Sequence, residues 1–286
     1  MIKRILLALQ FHTILPVRVN GGVSEKELAS SATFFPLAGA FQGFLLAIFS
    51  LAFAKLFGPY VAGGLSLTVL ISASGGFDLD GLADTADALA VKAKSSGNPP
   101  ADRQKRLDIM KQGTVGAMGA IALIISILLK YLFISSMLGA GHKHLPAYSP
   151  GRKSIVFALL FLMPAFSKWT TIPAMYHGRP ARQDGLGRIF IGNTGLKELA
   201  LSTLLLAGLC FAAFYLPAFY LKSVSPLACA GFSLFLLCFF YALSVSGVKF
   251  FTKRFGGLTG DHLGALTELA EALFLLVATL WLGHFA

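Results

Sequence analysis

Seven long apolar stretches divide the chain. Residues 37–54 carry no charge and the run continues to 57; 59–77 is uncharged and rich in Gly and Ser; 112–129 is uncharged and continues past Lys130 to 138. The stretch 154–166 extends to 175 with Lys168 inside it, 199–221 and 223–248 are uncharged apart from Lys222 between them, and 263–282 is apolar mainly in its second half. A helix needs about 20 mostly apolar residues to cross a bilayer. Within lipid the backbone must satisfy its own polar groups, which leaves helices for runs of this kind. The pattern predicts an all-α polytopic membrane bundle of about seven transmembrane helices, in a single domain over 1–286, without an internal repeat. At the start, Lys3 and Arg4 precede a short apolar run that Gln10 and His12 interrupt, with no small-residue cleavage site after it. That pattern predicts an uncleaved helix lying in the membrane interface over 1–16.

Composition agrees. The 286 residues are 56% hydrophobic and 13% charged, and the mean hydropathy is +0.73. These values exclude a soluble enzyme, a disordered chain and a disulfide scaffold. Cys210, Cys229 and Cys238 lie in apolar runs without paired spacing and read as packing residues. The net charge of +11 would suit nucleic acid, but Lys and Arg also collect in the cytoplasmic loops of membrane proteins. With the N-terminus cytoplasmic, seventeen Lys and Arg fall inside and six outside: Lys55, Lys130, Lys143, Arg152, Lys153 and Lys222. Lys168 is left within its span. The expectation is therefore an inner-membrane protein, N-terminus in the cytoplasm, with the lipid bilayer and no nucleic acid as partner.

Only thirteen residues are acidic, and four of them occupy one window after the second stretch: Phe77-Asp78-Leu79-Asp80-Gly81-Leu82-Ala83-Asp84-Thr85-Ala86-Asp87. On a helix Asp80, Asp84 and Asp87 share a face. Three like charges on one face oppose helix formation unless a cation compensates them, and hard oxygen ligands suit Mg²⁺ or Mn²⁺. A favourable helix dipole at an N-terminus accounts for one or two of these acids, not three. A second group, Gly260-Asp261-His262 through Glu268 and Glu271, places Asp261, Glu268 and Glu271 on one stripe that enters the last span. Acids inside a membrane are costly and usually functional. Thr259 or Asp261 can cap that helix. Capping does not explain Glu268, one or two turns deeper.

A basic loop, Met175 to Arg188, offers Arg179, Arg182 and Arg188 for bidentate phosphate contacts. His177 and His262 read as hydrogen-bonding residues, and His142 and His144 as solvated ones. All three clusters fall on one predicted cytoplasmic face. Carboxylates that hold a divalent ion beside Arg that can take phosphate are the equipment of phosphoryl-type transfer.

Two of these segments, Asp80-Gly81-Leu82-Ala83-Asp84-Thr85-Ala86-Asp87 and Gly256-Gly257-Leu258-Thr259-Gly260-Asp261-His262-Leu263-Gly264-Ala265-Leu266-Thr267-Glu268-Leu269-Ala270-Glu271, resemble the signatures of the cobalamin-5′-phosphate synthase (adenosylcobinamide-GDP ribazoletransferase) family. So do Phe34-Phe35-Pro36-Leu37-Ala38-Gly39, Leu107-Asp108-Ile109-Met110-Lys111 and Gly185-Leu186-Gly187-Arg188-Ile189-Phe190-Ile191-Gly192, in order across nearly the whole chain. The chain departs from the family pattern at Asp78, where His is usual, and at Ala88, where Gly is usual. It also departs at Lys111-Gln112-Gly113-Thr114-Val115-Gly116, which lacks one Asp and one Arg.

The resemblance implies a Mg²⁺-dependent integral membrane transferase. It would join adenosylcobinamide-GDP to α-ribazole or its 5′-phosphate and release GMP, the last step of nucleotide-loop assembly. On that reading Asp80, Asp84 and Asp87 hold Mg²⁺, Asp261 or Glu268 completes a second metal site or acts as base, and Arg179, Arg182 and Arg188 hold the GMP portion. The oligomeric state, including a homo-oligomer, stays open. Other classes also stay open on the residues alone: a CDP-alcohol phosphotransferase or prenyltransferase, and a cation-coupled transporter. Asp84 stands where a CDP-alcohol motif requires Arg, and acids gathered at one face without an inverted repeat disfavour a transporter.

Overall fold

The computed structural model describes residues 1–19, 21–91, 99–139, 150–215 and 225–284. Its helices are α1 (Ile2–His12), α2 (Glu25–Ser31), a 3₁₀ turn (Ala32–Phe34), α3 (Phe35–Leu56), α4 (Pro59–Ser74), α5 (Phe77–Ala90) and α6 (Pro99–Ile109). They continue with α7 (Ala117–Gly139), α8 (Pro150–His177), α9 (Leu186–Phe190), α10 (Leu196–Cys210) with a π-helical turn (Phe211–Tyr215), α11 (Pro226–Phe255) and α12 (Gly260–His284). Among the described residues no strand forms, and one isolated bridge joins Pro180 to Leu258.

Six segments are long and apolar enough to span a membrane: Glu25–Leu56, Ala117–Gly139, Gly151–His177, Leu196–Tyr215, Pro226–Phe255 and Gly260–Gly283. The remaining apolar stretch of the sequence, 59–77, is not a straight span. α4 and α5 meet at 89°. Gly75 and Gly76 make this elbow, with φ of 71° and 73°. Two consecutive left-handed residues end the helix, and glycine adopts that conformation without steric cost. The helix that carries the first acidic window is thereby turned away from the axis of α4.

α8 runs through the middle of the bundle, buried along most of its length. Its closest neighbour is α3, and small residues allow the approach. A Cβ on Gly39 would collide with the backbone of Pro164 and Ala165, and one on Gly43 with the backbone of Phe161. In lipid, helix association depends on such close packing, because lipid tails are as apolar as leucine. By contrast α7 shows lipid a row of exposed Ile and Leu that includes Ile121, Ile124, Ile125 and Leu128.

Two lysines change the sequence picture. Lys130, counted with the outside segments, lies inside α7 and is 1% exposed. It is drawn in by two carboxylates of α12, so it contributes nothing to the loop count. Lys168 is equally buried in α8. Lys92, Lys94, Lys143, Lys222, His142 and His144 lie outside the described residues.

The α3–α8 seam gives a first prediction. Gly43→Ala forces a methyl into the Phe161 backbone and should cost about 1–3 kcal/mol through overpacking. The check is the melting temperature of detergent-purified protein, which should fall, while Gly58→Ala, whose Cβ meets nothing, should leave it unchanged.

Candidate active site

The elbow delivers α5 to the first turns of α12, and glycines again set the separation. A Cβ on Gly81 would lie 2.7 Å from the Asp261 carbonyl oxygen and 3.0 Å from its Cα; one on Gly264 would lie 3.2 Å from the Asp78 Cα. Backbone thus meets backbone, and the two acidic segments of the sequence stand on adjoining turns. Asp84, half-buried, interacts electrostatically with Asp80, Asp261, Asp87 and Arg182.

Arg182 is brought in by a short backbone clasp. Ala181 N donates to Leu258 O and Leu258 N to Arg179 O, both at 2.8 Å. Gly257 permits this contact, because a Cβ there would be 2.5 Å from the Arg179 oxygen. From that position Arg182 Nη2 donates to Asp261 Oδ2 at 2.7 Å. Thr259 Oγ1 donates to the same oxygen at 3.3 Å. His262, expected as a hydrogen-bonding residue, accepts at Nδ1 from Thr259 N at 3.0 Å and closes the first turn of α12.

A cavity of about 610 Å³ opens beside this group. Asp78, Asp80, Asp184, Arg182, Arg188 and Asp261 supply its charges, and Phe11, Phe35, Met175, Phe190 and Leu258 are among its apolar walls. Gln10 and His12 bring the interfacial helix α1 into the lining. Burial, and then the Lys168 charge, hold the His12 imidazole well below its ordinary pKa, so it is neutral.

The predicted site residues divide. Asp80, Asp84, Asp261 and Arg182 come together, and Arg188 lines the cavity while its Nη2 donates to Glu25 Oε1 at 3.0 Å. Arg179 turns to the end of α11, where its Nε donates to Gly256 O at 3.0 Å. Asp87 accepts from Gly116 N at 2.6 Å and Gly119 N at 2.8 Å. Glu268 accepts from Lys130 and Ser126 in the interior of the bundle, away from the cavity lining. Sequence reading passed over Lys168, which pairs with Asp78 on the cavity wall. The available signal was an ionisable residue inside an apolar span.

Among the described residues no group of three His, Cys, Asp or Glu side chains is placed to hold a metal by itself. Mg²⁺ seldom needs one. It keeps several waters and is held by one or two carboxylates together with substrate phosphates. Asp80 and Asp84, one turn apart with only hard oxygen donors, fit that demand. Asp87, whose oxygens already take two backbone N–H groups, is not free for it in the same way.

A model of cobalamin-5-phosphate synthases matches residues 4–279. The chain belongs to the cobalamin-5-phosphate synthase family. Similar proteins bear the name adenosylcobinamide-GDP ribazoletransferase. That of Thermodesulfovibrio yellowstonii is 35% identical over 99% of this chain and all of the relative. That of Herpetosiphon aurantiacus is 31% identical over 99% of each, and that of Escherichia coli 33% identical over 94% of this chain and 96% of the relative. No solved structure matches the chain. Membership in the synthase family makes this a multi-pass membrane transferase of cobalamin synthesis, as the two acidic motifs implied, and sets aside the other transferase and transporter classes.

The synthase fold gives Asp87 a role that can be separated from metal binding. Asp87→Ala removes the acceptor of two N–H groups at the start of α7 and should cost about 1–2 kcal/mol of stability. Thermal unfolding with excess chelator should show the loss. A melting temperature that changes only when Mg²⁺ is present would assign Asp87 to the metal instead.

Proposed function

We propose that this chain is an adenosylcobinamide-GDP ribazoletransferase that uses Mg²⁺ and works at the cytoplasmic face of the inner membrane. The observation that carries the reading is the meeting of Asp80 and Asp84 on α5 with Asp261 on α12 and its partner Arg182 from the basic loop, at a cavity lined by Arg188, in a chain of this family.

Asp80 and Asp84 hold the ion, which when bound neutralises phosphate oxygens. Arg182 and Arg188 bind the phosphate of the leaving GMP through their N–H groups. A hydroxyl of α-ribazole, or of its 5′-phosphate, attacks the phosphorus nearest the corrinoid. The new P–O bond forms as the bond to the bridging oxygen breaks, and GMP departs with that electron pair. Asp261, oriented by Arg182 and Thr259, takes the proton of the attacking hydroxyl. The apolar walls keep competing water from the phosphorus.

Orientation is supported by charge. With Lys130 assigned to the bundle interior, seventeen Lys and Arg stand on the cytoplasmic side against five outside. In the structure Gly139, at the end of α7, packs on Pro59, at the start of α4. Both ends belong to the outer face on this assignment.

Asp80→Asn or Asp84→Asn should slow GMP release by at least about 10²-fold, about 2.7 kcal/mol of barrier. Folding should survive, because each change relieves repulsion between neighbouring carboxylates. GMP formation by purified protein at limiting Mg²⁺ is the measurement, and near-normal turnover in either variant would remove the metal face from the mechanism. For orientation, Gly185→Cys should react with an impermeant thiol reagent only in inside-out vesicles, and Gly58→Cys only in right-side-out ones. Labelling of both from one side would reject the assigned topology.

A further inference from the structure

Beneath the cavity, α7, α8 and α12 meet around an ionic group that the proposed chemistry does not use. Lys130 Nζ donates to Glu268 Oε2 at 2.8 Å and to Glu271 Oε2 at 2.9 Å. Ser126 Oγ donates to Glu268 Oε2 at 2.6 Å, and Ser167 Oγ to Glu271 Oε1 at 3.4 Å. The lysine side chain is 1% exposed and each glutamate 5%. Apolar residues would occupy such positions with less desolvation, so the group adds little to stability as such. Its distinguishing property is geometric: the bonds close at one register of the three helices, the best-attested use of buried polar groups.

α7 is fastened twice. At its start Asp87 of α5 accepts from Gly116 N and Gly119 N, and further along Lys130 holds α12. α7 therefore ties α5, which carries Asp80 and Asp84, to α12, which carries Asp261. Glu268 lies two turns beyond Asp261 on the same stripe of α12. A one-residue slip of α12 shifts it by about 1.5 Å and rotates it by about 100°. Misplacement of a reacting group by about 1 Å can cost about 10²-fold in rate.

We propose that Lys130, acting through Glu268 and Glu271, is a positioning residue for the transfer: it fixes the depth and rotation of α12 and so the place of Asp261 opposite Asp80 and Asp84. The proposal rests on the reading of that face as the active site.

The test uses the full chain in lipid vesicles. Lys130→Met alone strands two buried carboxylates and is expected to lose folded protein. The combination of Lys130→Met, Glu268→Gln and Glu271→Gln removes all three charges at similar shape and should melt no lower than the parent. Its kcat should fall at least about tenfold while KM for each substrate stays within about threefold. Parent-like kcat, or a loss carried by KM alone, overturns the proposal. Glu268→Gln keeps a balanced Lys130–Glu271 pair and serves if the triple variant does not fold. Its kcat should fall about threefold or more with an unchanged pH profile, whereas loss of the acid limb would make Glu268 the base and overturn the positioning role. Spin labels at Ala90 and Leu280, in a chain with its three cysteines replaced by Ala, report the α5–α12 distance without any turnover. A parent-like distance in the triple variant also overturns the proposal. A parent chain that releases no GMP defeats the functional reading alone, since the distance still judges Lys130.

Discussion

Everything at the candidate site depends on how closely α5 and α12 can approach. Gly81 against Asp261, and Gly264 against Asp78, put two helix backbones in contact and leave no room for a side chain between them. That contact forces together carboxylates that repel. At an effective dielectric of 20 a pair of unit charges 4 Å apart interacts by about 4 kcal/mol, so several such pairs would open the seam if left uncompensated. The structure answers most of them. Lys168 takes Asp78, Arg182 takes Asp261, and two backbone N–H groups at the start of α7 take Asp87. Among the described residues no cation stands within 4 Å of Asp80 or Asp84. The uncompensated charge is therefore concentrated on the two carboxylates nearest Arg182 and the charged wall of the cavity.

The bilayer shapes the rest. In a solvent as apolar as the bundle interior, burying leucine brings no gain, so helices hold by close packing and by the few polar bonds that cross between them. The α3–α8 seam is of the first kind and the Lys130 group of the second. Both converge on α8, whose Ser167 and Lys168 are successive residues facing different partners, Glu271 in the interior and Asp78 at the cavity. Removing one partner from such a group is more damaging than replacing all of it, because a lone buried charge has no water to turn to.

Hydropathy alone made the bundle legible, since span length and charge exclusion are demanded by lipid and leave a direct trace in composition. It hid the elbow: 59–77 is apolar from end to end, and only the paired Gly75 and Gly76 mark where the helix turns by 89°. It also hid depth. Lys130 follows an uncharged run and reads as the edge of a loop, whereas its partners lie 138 and 141 residues further on, beyond the reach of any periodicity. Asp80, Asp84 and Asp261, which the fold brings together, stood out in the sequence as candidates by their motifs and helical spacing. Asp87 kept the same spacing but was claimed by α7, a contact between segments that the spacing does not encode. The three arginines of the basic loop looked equivalent in sequence. Only the clasp between Ala181 and Leu258 separates Arg182, which reaches Asp261, from Arg179, which is spent on the end of α11.

The segment 111–116 contains no acidic residue. Its two ends are anchored by other means. Lys111 Nζ donates to Asp184 Oδ2 at 2.7 Å, and Gly116 N donates to Asp87. Between them Gly113 turns the chain with a φ of 62°. The Lys111 pair is solvent-exposed and contributes little energy, but it ties this segment to the loop that carries Arg182 and Arg188. The Gly116 contact carries more, because it is a charge-assisted bond at the start of a helix, where a carboxylate is favoured. The segment therefore needs no acidic residue of its own to stay beside the cavity: its structural connections run through Asp87 and Asp184, carboxylates supplied from α5 and from the basic loop. The same logic applies to Asp78, whose negative charge at the α5–α12 seam is balanced by Lys168 buried beneath it, so the two belong to one electrostatic unit.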